Sequence, residues 1–216
     1  MKLTSGRLAG AALAAWVVCF GVLARFGTWL PFAFAGTALA AVMLRRGQVS
    51  IALLRPSGWR IVAGVFGGAI MVGLTHVAYL AVSAAVPSVL PATEELFELL
   101  NVSGFSPPER AALIAIIASC EEVLFRGPLL GSLRRDDERE GWRREWPATG
   151  RTLAFAAAYA VTTVPLANPL LLLCAFVCGS IWGALAIASG SLTVPILVHV
   201  IWDLGVLIAW PLSTRP

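Results

Sequence analysis

Two short stretches of this chain combine residue types and spacings that can do chemistry. In SCEEVLFRGPLL, residues 119–130, Glu121, Glu122 and Arg126 follow the apolar run AALIAIIASC. In PILVHVIWD, residues 195–203, His199 and Asp203 stand among apolar neighbours in the same way. Charged groups in such surroundings carry a large desolvation cost unless they are paired or hydrated. Glu122 and Arg126 are four residues apart, which stacks them on one helix face as an ion pair. Glu121 points about 100° away and has no such partner in its own helix. His199 and Asp203 repeat the four-residue spacing. Asp203 is therefore placed to accept from one ring nitrogen and fix the tautomer, leaving the other nitrogen facing a cavity.

The chemistry these groups fit is hydrolysis. A carboxylate in a low-dielectric cavity can act as general base to a trapped water. Peptide hydrolysis also needs a donor for the oxyanion and for the leaving amine, a task that suits histidine. Glu121 as base and His199 as donor meet both needs. Two other readings stay open at this point: helix pairs that glue spans together, and a proton or ion relay. Transport would call for an inverted repeat or paired broken helices, and neither is evident. The chain has no HExxH and only two histidines, His76 and His199, which argues against a zinc peptidase. No GxSxG occurs, and no Ser or Cys has an activating pair. Cys19, Cys120, Cys174 and Cys178 all fall in apolar segments and read as small buried side chains. No metal and no cofactor is expected.

The elements that position these groups are membrane helices. Of 216 residues 58% are hydrophobic and only 13% charged, and the mean hydropathy is +0.83. That composition excludes an ordinary soluble domain and predicts an all-α polytopic transmembrane bundle. Candidate spans cover 8–24, 29–44, 61–83, 109–133, 152–166, 170–188 and 192–210, or about seven crossings. Trp16, Trp29, Trp59 and Trp210 lie in or near segment ends and read as interface anchors. Most basic residues fall in three groups: Lys2 and Arg7, then Arg45, Arg46, Arg55 and Arg60, then six arginines in 134–151. All three share one side if every segment crosses, which predicts a cytoplasmic N-terminus. Glu94, Glu95 and Glu98 fall on the opposite side, in the stretch 84–108, whose amphipathic ELFELL is read as a connecting helix. No basic helix interleaved with aromatics suggests a nucleic-acid face, so no nucleic-acid partner is expected, and the lipid bilayer is.

EEVLFR at 121–126, followed about seventy residues later by HVIWD at 199–203, resembles the CAAX-protease and bacteriocin-processing (CPBP) family of glutamate-type intramembrane endopeptidases. The resemblance covers roughly 109–210 and implies a catalytic helical core there, with 1–108 as variable N-terminal helices and a connecting segment. By that resemblance Glu121 is the water-activating glutamate and His199 the last-motif histidine. Glu122, Arg126 and Asp203 organise the site. The implied substrate is a membrane-anchored or lipidated protein, and the implied setting is a bacterial cytoplasmic membrane. The middle motif departs from the pattern. Tyr159 takes its aromatic position, and Thr163 stands where a histidine is expected, which puts activity in doubt. The runner-up expectation is a catalytically silent relative that binds or shields a membrane partner.

Overall fold

The computed structural model describes residues 5–100, 104–137 and 147–212, and within them the chain is all-α. The helices are α1 (Ser5–Phe26), α2 (Leu30–Arg45), α3 (Gly58–Ala85), α4 (Val89–Leu100), α5 (Pro107–Glu121), α6 (Gly127–Asp137), α7 (Ala148–Val161), α8 (Pro169–Ser189) and α9 (Thr193–Leu204). A π-helical turn, Glu122–Arg126, joins α5 to α6, and another, Gly205–Ala209, extends α9. Lys2 and the basic stretch 138–146, both used above for topology, lie outside the described residues, as does 101–103.

Among the described residues three helices are long and apolar enough to cross a membrane: Leu8–Phe26, Gly58–Ala85 and Pro169–Ser189. Leu30–Arg45 and Thr193–Ala209 are apolar but shorter. The protein is thus a membrane-spanning helical bundle. In hydrocarbon each backbone polar group must be satisfied within its own helix, which is why the apolar segments are helical. Their ends carry recognisable signals. Asn168 accepts from the Leu171 N–H at 2.9 Å ahead of Pro169, and Gly190, at φ 58°, closes α8. At the start of α5 the Ser106 N–H donates to the Glu109 carboxylate at 2.7 Å.

Small residues let the helices approach closely where hydrophobic contrast with lipid supplies no force. Gly64 and Gly68, one turn apart on α3, face α9. A Cβ at Gly64 would lie 2.6 Å from Leu197 Cβ, and one at Gly68 2.7 Å from Ile201 Cβ. On α8, Gly179 and Gly183 do the same for α7: a Cβ at Gly183 would meet Thr152 Cγ2 at 2.8 Å. Away from these seams α3 turns Phe66, Ile70, Leu74 and Leu80 outward, an exposed apolar face suited to lipid. The 3-10 turn Ile51–Leu54 is tied to the turn before α9, since the Leu192 N–H donates to the Leu53 carbonyl at 2.8 Å. These close seams hold α9 against α3 and α8 against α7, which sets where their polar side chains meet.

Candidate active site

Glu121 is the last residue of α5, and the π-helical turn begins immediately after it. Closing the turn, the Gly127 N–H donates to the Glu122 carbonyl, so five residues fit where an α-turn holds fewer. All five residues of this turn, Glu122, Val123, Leu124, Phe125 and Arg126, are buried. The pairing expected for Glu122 and Arg126 is present, with Nη1 3.3 Å from Oε1. Arg126 Nη2 also donates to the Gly179 carbonyl at 3.2 Å. The guanidinium lies over the rings of Tyr159, at 4.9 Å, and Trp182, at 5.3 Å. Gly179 is what makes room for this arrangement, because a Cβ there would sit 3.1 Å from Nη2 and 3.3 Å from the Tyr159 ring.

The partners of Glu121 come from other helices, as its isolation on α5 implies. Its Oε1 accepts from the Trp16 indole N–H at 2.7 Å, and its Oε2 accepts from the Tyr159 hydroxyl at 2.8 Å. His199 Nε2 stands 3.7 Å from the same Oε2 and 3.4 Å from Asp203 Oδ2. His199 Nδ1 is 2.9 Å from Glu122 Oε1. Trp182 stacks on the imidazole with centroids 3.5 Å apart and planes at 19°. Three carboxyl groups thus surround one imidazole and one guanidinium in a buried cluster.

Beside the cluster lies a cavity of about 190 Å³, lined by Glu121, His199 and Asp203 and otherwise almost wholly apolar. That is far above the ~10–15 Å³ a single water needs. Phe20 and Phe32 line it from the N-terminal helices, and Val206 and Leu207 from the turn after α9. The helix read as a plain connector, α4, contributes Leu96, Phe97 and Leu100 to the lining, so its apolar face belongs to the cavity.

Several expectations are corrected by this geometry. Doubt about activity rested on a motif histidine replaced by Thr163, leaving the site short of an imidazole. The structure overturns that: His199 is present, 2% exposed, and sits against both Glu121 and Glu122. Thr163 lines the cavity, but its hydroxyl donates to the Ala160 carbonyl at 2.8 Å and serves the end of α7. Glu122 contacts the imidazole at Nδ1, and Asp203, expected to accept from one ring nitrogen, stands 3.4 Å from Nε2. His76, whose place the sequence leaves open, is a buried, hydrogen-bonded residue apart from the cluster. Its ring nitrogens lie 2.9 Å from the Val72 carbonyl and 3.0 Å from the Trp210 carbonyl, and it stacks on Trp210 at 3.9 Å. Trp16 and Trp29 are buried in the core and are not interface anchors; Trp59 and Trp210 are exposed. Trp16 and Trp182 were both missed as site residues. The signal for Trp16 was its place in the middle of its helix, where a buried indole N–H needs an acceptor.

Comparison with known proteins adds one finding. Residues 105–205 match the family model described as type II CAAX prenyl endopeptidase Rce1-like. No curated protein and no solved structure matches the chain. The matched region contains Glu121, Glu122, Arg126, Tyr159, Trp182, His199 and Asp203, the residues that meet in the cluster, while Trp16 lies outside it. Residues 105–205, a little under half of the chain, are thus similar to the Rce1-like CAAX prenyl endopeptidases.

Proposed function

We propose that the chain is an intramembrane endopeptidase in which Glu121 activates water to hydrolyse a peptide bond of a membrane-associated or lipidated protein. The observation that carries this reading is the buried pair of Glu121 and His199, with Nε2 3.7 Å from Oε2, at the polar side of an apolar cavity. In this reading Glu121 Oε2 takes a proton from water as the oxygen bonds to the scissile carbonyl carbon. His199 acts doubly protonated: its Nδ1–H stays on Glu122, and its Nε2–H donates to the oxyanion. As the C–N bond breaks, Nε2 gives its proton to the leaving amine and recovers the one held on Glu121. Glu122 and Arg126 orient the imidazole, Tyr159 holds the Glu121 carboxyl, and Asp203 faces Nε2 as a further acceptor.

The family match supports assigning this core to 109–210, with 1–108 as the variable part. A seven-span topology with a cytoplasmic N-terminus, in a bacterial cytoplasmic membrane, belongs to the same reading and rests on the sidedness of the basic segments. A single cysteine placed at Glu95 tests it: labelling by an impermeant maleimide from outside the cell is expected, and labelling only after lysis reverses the topology.

The test of the activity is cleavage in liposomes. Purified wild type, Glu121→Gln and His199→Ala meet one set of membrane-anchored and lipidated peptides, read by mass spectrometry. Wild type is expected to cut, and each variant to lose about 10³-fold in kcat. Cleavage that persists in Glu121→Gln removes Glu121 as the base.

A further inference from the structure

We infer that Trp16, on α1 and outside the family-matched region, is a positioning residue that fixes the Glu121 carboxylate through its indole N–H. The contact is 2.7 Å long and wholly buried, with Trp16 at 0% exposure. An indole N–H donates and can neither accept nor titrate in this range, so it can exchange no proton with Glu121. It therefore reserves Oε1 as a fixed acceptor and leaves Oε2 as the oxygen presented to His199. Tyr159 holds that second oxygen from the opposite element, α7, so the carboxyl is gripped from two helices at once.

The indole is itself locked in place. Phe32 meets it edge-on at 5.6 Å and Phe125 at 6.0 Å. Gly36 on α2 opens the slot: a Cβ there would fall 2.9 Å from Trp16 Cη2 and 3.0 Å from Cys120 Cβ. A tryptophan held only for packing would be satisfied by any acceptor. Here the acceptor is the carboxylate proposed as base, and α1 and α2 are both shaped around the ring that reaches it. The inference gives the N-terminal helices a part in the site and rests on the proteolysis reading for its kinetic consequence alone.

Two arms test it. In the first, full-length protein in detergent micelles carries ¹⁵N-indole tryptophan, and the Trp16 N–H resonance is assigned by its loss in Trp16→Phe. That resonance is expected to shift in Glu121→Gln and to keep its position in Glu109→Gln. An unmoved signal in Glu121→Gln overturns the contact, and this arm requires no turnover. In the second, Trp16 is replaced by benzothienylalanine, which keeps the shape and puts sulfur in place of the N–H. The other seven of the eight indole signals report that the fold is kept. With any peptide that wild type cuts, kcat is expected to fall about 10²-fold at unchanged KM. An unchanged kcat overturns the positioning role while leaving proteolysis standing. If wild type cuts nothing but the indole signal shifts in Glu121→Gln, the activity reading fails and the carboxylate grip stands.

Discussion

His199 Nδ1 lies 2.9 Å from Glu122 Oε1, and this contact between α9 and the π-helical turn aims the other ring nitrogen at Glu121. Two adjacent glutamates therefore point to different neighbours. Glu122, beside Arg126, orients the imidazole; Glu121, held by Trp16 and Tyr159, meets it across the cavity side.

Replacing Glu122 separates orientation from charge. Glu122→Gln keeps the shape but offers an amide that can present nitrogen in place of oxygen to Nδ1. With a cleaved peptide in hand, kcat is expected to fall about 10²-fold with KM little changed. Glu122→Ala goes further, because it leaves Arg126 buried without its counter-charge, a loss of about 3–5 kcal/mol in stability. Thermal unfolding in micelles should rank wild type above Gln and Gln above Ala. A Gln variant with full kcat would show that Asp203 alone suffices to set the ring.

Arg126 is expected to resist replacement by lysine. An ammonium keeps the charge but lacks the fork that reaches both Glu122 and the Gly179 carbonyl, and it lacks the flat face over Tyr159 and Trp182. Arg126→Lys should lose roughly 1–3 kcal/mol, the worth of a charge-assisted bond, and Arg126→Met more, since Glu122 is then stranded. Equal melting temperatures for lysine and wild type would mean that only the charge matters.

The α3–α9 seam makes a sharper packing prediction. Gly68→Val must push against Ile201, whose Cβ lies 2.7 Å from the added carbon, and should lose about 1–3 kcal/mol through overpacking. Gly73→Ala meets open space within 4 Å and should be neutral or slightly stabilising. Because α9 carries His199, Gly68→Val should also lower any peptide cleavage. A Gly68→Val protein as stable as wild type would show that the two helices slide apart without loss.

Much of this organisation was legible in the residues. Hydropathy blocks located the apolar helices, since a membrane leaves one solution for an apolar backbone. Four-residue spacing found both the Glu122–Arg126 and the His199–Asp203 pairs, because those contacts lie within single helices. What the spacing does not carry is contact between helices. The His199–Glu122 bond joins residues 77 apart. The Trp16–Glu121 bond joins residues 105 apart, and a tryptophan in an apolar run looks the same whether it anchors at an interface or serves a buried acid. The π-helical turn has no residue signature of its own, yet all five of its residues are buried. Thr163 was read by position alone, and its hydroxyl turned out to be bonded locally to the Ala160 carbonyl.

The role of α4 can be tested by its aromatic residue. Phe97 is an apolar side chain that lines the cavity from α4, so on the proposed reading it contributes to binding and not to the chemical step. Interactions equally strong in the ground and transition states change KM and leave kcat alone. Phe97→Ala removes a large apolar side chain, and with about 2 kcal/mol of lost burial KM should rise by roughly tenfold or more at unchanged kcat. Phe66→Ala on α3, which faces outward and is 65% exposed, is the control and should alter neither constant. A fall in kcat with Phe97→Ala would instead place α4 in the step that closes the site around the substrate, and the same variant measured with a shorter peptide would then show no change.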